Sequence, residues 1–65
     1  MKNHIRKYRE QLKLTQHELG KQLGVTQATI GLYERGLREP NFEMTKKLAT
    51  ALQCSPADLF PVLAE

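Results

Sequence analysis

The sequence has no tryptophan, one cysteine, two tyrosines and two phenylalanines among its 65 residues. A single thiol, Cys54, cannot close an internal disulfide. Four aromatic side chains are too few for the stacking platforms that read single-stranded nucleic acid. No apolar run approaches the roughly 18 residues of a membrane span, and the N-terminus lacks the apolar region of a secretion signal. These absences fit a reducing compartment, so a cytoplasmic location is expected. There is no internal repeat, no low-complexity tract and no segment that alternates like a strand. His4 and His17 have no ligand spacing with each other or with Cys54, so neither a metal nor another cofactor is expected. Cys54 has no base or shaped cleft to activate it, and it reads as a small buried hydrophobe. No enzyme activity and no small-molecule ligand are expected.

What is present is compact and unevenly charged. Sixty-five residues make one small domain that buries only about 60% of its unfolded surface, so most residues must serve a core or a partner. The formal net charge is +3. Residues 1–13 hold Lys2, Arg6, Lys7, Arg9 and Lys13 against Glu10, a net +4. Residues 39–65 hold Lys46 and Lys47 against Glu39, Glu43, Asp58 and Glu65, a net −2. A basic N-terminal part suits an anionic partner, nucleic acid above all; charge by itself equally suits a solvated helix face.

Local signals place five helix starts. Asn3 caps a first helix over 3–13, with Ile5, Tyr8 and Leu12 on one face. The run "TQHE" is a capping box with Thr15 as N-cap and Glu18 three residues on. It opens a second helix over 16–23, with Leu19 and Leu23 inward. Gly24 stops that helix in the left-handed conformation. Thr26 caps a third helix over 27–35, and Gly36 ends it. Asn41 after Pro40 caps a fourth over 42–52, with Thr45, Leu48, Ala49 and Leu52 on one face. Ser55 followed by Pro56 opens a short fifth over 56–60, because Pro61 pushes Phe60 out of the α region. The fold class is all-α, a compact bundle of four to five short helices.

Two features of residues 16–35 ask for more than a helical hairpin. A short glycine-containing turn between two short helices is a helix-turn-helix signature. Gly20 lies inside the second helix, where glycine costs about 0.5–1 kcal/mol against alanine; a close crossing by the third helix would explain it, with Val25 plugging the space between. The third helix is also apolar twice over. Ile30, Tyr33 and Glu34 share one side, while Ala28, Gly31 and Leu32 share the other with Arg35 as its only charge. A surface helix in a small domain normally turns a charged face to water.

From Ile5 to Leu59 these residues resemble the Cro and phage-repressor type of helix-turn-helix domain, often called the XRE family. The resemblance is carried by Thr15-Gln16, Leu19, the Gly24-Val25-Thr26 turn, Ile30, Tyr33-Glu34-Arg35-Gly36, Pro40, and Leu48-Ala49 with Leu52. Two departures stand out. The family commonly has alanine at the position of Gly20, which keeps the site small, and an aliphatic residue at that of Cys54.

The resemblance implies sequence-specific binding of double-stranded DNA, with the third helix in the major groove. Ala28 and Leu32 then face thymine methyl groups, Gly31 adds no bulk, and Gln27 bonds an adenine edge. Gln16, at the start of the second helix, is the implied phosphate ligand, with Thr15 assisting. Arg35 and Arg38, which bracket the loop after the third helix, and Asn41 at the start of the fourth are expected as further phosphate ligands. Arg9 and Glu34 lie on inner faces, where a charge is costly unless paired; the family joins these positions by a salt bridge, so they are expected to fix the first helix against the third. In the tail "LFPVLAE", Phe60, Val62 and Leu63 have little chain left to cover them. Such clusters mark partner surfaces, and the resemblance implies a homodimer formed there. The expected function is a transcriptional regulator, repressor-like and of phage or prokaryotic type. The competing expectation is a protein-interaction module of the same fold, an antitoxin-like or coactivator-like subunit.

Overall fold

The computed structural model describes residues 2–61, which form five α-helices and no strand. They are α1 (Ile5–Gln11), α2 (Gln16–Leu23), α3 (Gln27–Glu34), α4 (Phe42–Ala51) and α5 (Pro56–Leu59). No helix among these residues is long and apolar enough to cross a membrane.

The starts follow from side-chain caps. The Thr15 hydroxyl accepts from the Glu18 N–H at 3.0 Å while Glu18 accepts from the Thr15 N–H at 2.9 Å, so the capping box closes on α2. Thr26 accepts from Thr29 N–H at 3.1 Å and Asn41 from Met44 N–H at 2.8 Å. Ser55 and Asp58 form a second capping box on α5. Asn3 works one position before the N-cap of α1: its Oδ1 accepts from Ile5 N–H, and its Nδ2 donates to the Tyr33 carbonyl at 2.8 Å. The same side chain thus starts α1 and ties it to the end of α3.

The first helix starts at Ile5 rather than residue 3, the third and fifth end one residue early at Glu34 and Leu59, and the first and fourth also end before their expected limits. Lys13 has φ +58° and Gln53 has φ +59°, both in the left-handed region. Those residues break α1 and α4 without a glycine to announce it, so α1 stops at Gln11 and α4 at Ala51. Gly24, at φ +74°, makes the announced stop after α2.

The core gathers one fully buried residue from each helix, Ile5, Leu19, Ile30, Leu48 and Leu59, together with Leu52 just after α4. Tyr8, Leu12, Val25 and Cys54 pack partly buried against it. Burial and then Asp58 push the Cys54 thiol above its ordinary value. The His4 N–H donates to the Leu59 carbonyl at 2.8 Å and so closes α1 onto α5. Phe60 corrects the expectation for the tail. It stands in extended backbone before Pro61, and its ring is 5% exposed within the core, so it offers no free contact surface. Val62 and Leu63 lie outside the described residues.

The close approach at Gly20 is to the turn. A Cβ there would lie 2.7 Å from the Val25 carbonyl oxygen and 3.3 Å from the Thr26 carbonyl group. The Val25 N–H donates to the Gly20 carbonyl at 2.9 Å, which pulls the turn onto the helix. An alanine at this position therefore does not fit without a shift of the turn, and the close neighbour is the turn backbone rather than the expected crossing by the third helix.

Candidate nucleic-acid interface

The turn at Gly24 sets α3 across α2, and their outer sides enclose an open concavity of about 510 Å³. It is lined by Gln16, Gln27, Ala28, Gly31, Leu32 and Arg35. The second apolar face of α3 is therefore one wall of a groove rather than an isolated stripe. Gln27 and Ala28 are exposed, while Gly31 and Leu32 are half-buried. The fold itself does not require a glycine at residue 31: a Cβ there would make an ordinary contact, 3.6 Å from Gln16 Nε2.

A buried ion pair underlies the groove. Arg9 Nε donates to Glu34 Oε2 at 2.6 Å, and Nη2 donates to Oε1 at 3.4 Å. The two side chains are only 11% and 6% exposed. A third donor, Arg9 Nη1, reaches the Leu14 carbonyl at 2.7 Å, just before the cap of α2. One guanidinium thus joins α1, the entry to α2 and the end of α3. Such a pair is costly to break from one side, because the remaining charge stays buried without compensation. Glu34 accepts one further bond, from Gln16 Nε2 at 3.0 Å.

Of the other expected contacts, Thr15, Arg38 and Asn41 lie outside the groove. Thr15 is exposed, with its oxygen engaged as the α2 cap. Arg38 and Asn41 are exposed on the loop and at the start of α4, and Asn41 Oδ1 is engaged in capping. Arg35 borders the groove and folds its Nε back onto the Gly31 carbonyl at 3.2 Å. Arg35 also borders a second concavity with Lys2, Asn3, His4 and Glu34. Lys2 and His4 come beside the end of α3 because Asn3 is bonded to the Tyr33 carbonyl, a long-range tie with no local sequence signal. The Gln16–Glu34 bond escaped the sequence for the same reason. Among the described residues, no group of three or more His, Cys, Asp or Glu side chains could hold a metal ion.

Comparison with known proteins agrees with this geometry. The family model described as helix-turn-helix matches residues 5–59. Repressor protein C2 of Salmonella phage P22 is 46% identical over 56 residues, covering 86% of this chain and 26% of the phage protein. The chain thus spans about a quarter of that relative's length. An uncharacterized HTH-type transcriptional regulator of Archaeoglobus fulgidus is 35% identical over 60 residues, covering 92% of this chain and 86% of the archaeal one. Among solved structures, the crystal structure of the P22 c2 repressor with a synthetic operator superposes with a TM-score of 0.79 at 46% identity, covering 83% of this chain and 82% of that one. The solution structure of the DNA-binding domain of the same repressor gives 0.78 at 47% identity, covering 82% of this chain and 70% of that one.

Proposed function

The chain belongs to the helix-turn-helix family of the Cro and phage-repressor type, and on that premise we propose that it is a sequence-specific double-stranded DNA-binding regulator of transcription. The observation that carries the proposal is the convergence of Gln16, Gln27, Ala28, Gly31, Leu32 and Arg35 on one open groove. An exposed glutamine beside small and apolar side chains on a helix is what a major groove can use, since adenine presents a donor and an acceptor there and thymine a methyl group. In this reading α3 enters the major groove. Gln27 bonds an adenine edge, while Ala28 and Leu32 pack against thymine methyls. Gln16, Thr15, Arg35, Arg38 and Asn41 bond phosphates and set the register. The superposition on a repressor held by its operator supports this orientation.

The protein is a homodimer on DNA in this reading, with two copies of α3 about one helical turn, or roughly 34 Å, apart on an inverted repeat. With Phe60 in the core, the dimer contact falls to other surfaces, Val62 and Leu63 being the remaining candidates of the tail. Selection from a randomised duplex pool at about 150 mM salt, where non-specific phosphate binding is weakened, tests both parts. An enriched inverted repeat with half-sites about 10 base pairs apart is expected. A single enriched half-site would remove the dimer. No enrichment by folded protein would overturn the DNA reading and favour a protein-binding module of the same fold.

A further inference from the structure

We propose that Glu34, held by Arg9, is a positioning residue for DNA binding: it orients the Gln16 amide. The inference rests on the reading of Gln16 as a phosphate ligand. The Glu34 side chain is only 6% exposed, at the edge of the concavity it shares with Lys2, Asn3, His4 and Arg35. Its carboxylate is shared between Arg9 and Gln16, whose Nε2 donates to Oε1 at 3.0 Å. An ionised carboxylate only accepts, so it sorts the two ends of the amide. The nitrogen must face Glu34, which uses one of its two N–H groups and leaves the other for a phosphate.

The same contact restrains a side chain that would otherwise move freely. The Glu34 bond is what holds the Gln16 amide, which extends above the open space at Gly31. Ordering this side chain before DNA arrives removes a cost that binding would otherwise meet. Arg9 contributes by fixing the carboxylate, which its Nε meets at 2.6 Å. The sequence pairs Arg9 with Glu34 as a brace between helices; the structure gives that brace a second output at the interface.

The substitution Glu34→Gln isolates the effect. If the new oxygen keeps the short bond to Arg9 Nε, the new NH2 faces Gln16, and Gln16 must turn its oxygen inward. Four proteins are compared for binding to the selected duplex: wild type, E34Q, Gln16→Ala and the double variant. A loss of roughly three- to tenfold in affinity is expected for E34Q in the wild-type background and none in the Q16A background. A brace that acts only through stability would lose the same factor in both backgrounds, and that result overturns the inference while leaving Gln16 as a ligand. An unchanged affinity for Q16A alone would overturn the phosphate role and the inference with it. A second measurement uses the wild-type protein without DNA. The side-chain order parameter of Gln16 Nε2 should approach the value of rigid backbone, about 0.85. A value below about 0.6 would overturn the inference whether or not E34Q folds.

Discussion

A methyl group added at Gly20 and one added at Gly31 meet opposite surroundings. At Gly20 it would press on the Val25 carbonyl oxygen at 2.7 Å, which belongs to backbone and has no side-chain freedom to yield. Gly20→Ala should cost about 1–3 kcal/mol, seen as a lower urea midpoint at an unchanged slope. An unchanged midpoint would mean that the turn relaxes without penalty. At Gly31 the methyl makes an ordinary contact, 3.6 Å from Gln16 Nε2, and helix propensity improves. Gly31→Ala should stabilise the fold by about 0.5–1 kcal/mol while weakening DNA binding, because the methyl occupies the groove. A melting scan and a binding titration on the same sample would separate the two effects. Gln27 is exposed, so its removal should spare the fold and relax base choice. Gln27→Ala should lose about 1–3 kcal/mol of discrimination at one base pair. Binding to a panel of single-base variants of the selected site would reveal a flattened preference at that position, and an unaltered preference would remove Gln27 from the base contacts.

At the scale of elements, the starts of α2 to α5 were legible, while the start of α1 and some stops were not. Caps act over three residues, so "TQHE" carries its own geometry. Lys13 and Gln53 adopt positive φ without any chemical sign of it, because the surrounding chain imposes the turn. The two capping boxes also give the fold an acid dependence. The backbone N–H of Thr15, then its hydroxyl, holds the Glu18 carboxyl below its ordinary value of 4.5. The backbone N–H of Ser55, then its hydroxyl, holds Asp58 below 3.8. A carboxyl whose folded value is depressed stabilises the fold fully above its unfolded value and loses that contribution as pH falls through the folded one. Stability should therefore begin to fall near pH 4.5 and continue to fall below pH 3.8, as followed by helicity in acid titrations. Thr15→Ala should cost about 0.5–2 kcal/mol at neutral pH and should reduce the Glu18 part of that decline only by the share of the hydroxyl, because residue 15 keeps its backbone N–H. A variant with the wild-type acid profile would show that the hydroxyl has no part in it.

At the scale of the whole molecule, charge and association decide how the groove is used. The net charge is +3, and residues 1–13 alone hold a net +4, so the proposed attraction to DNA falls on the N-terminal part. A second copy on the proposed inverted repeat would double the contacts. Sedimentation at high micromolar concentration, with and without the selected duplex, should reveal a species of twice the 7.5 kDa chain. A monomer under both conditions would overturn the dimer and leave a single half-site reader.

The sequence by itself determined the last four helix starts, the inward leucines and isoleucines, and the residue types facing outward from the third helix. All of these are local or periodic, so they follow from neighbours within a turn or two of helix. It also carried the Arg9–Glu34 pair, once the family pattern joined two charges on inner faces. Tertiary structure alone decided that Phe60 is core, that Gly20 meets the turn backbone, and that Gln16 is bonded to Glu34. Each of these depends on which surfaces meet when separate helices pack, and a packing contact between distant residues has no periodicity for the sequence to display.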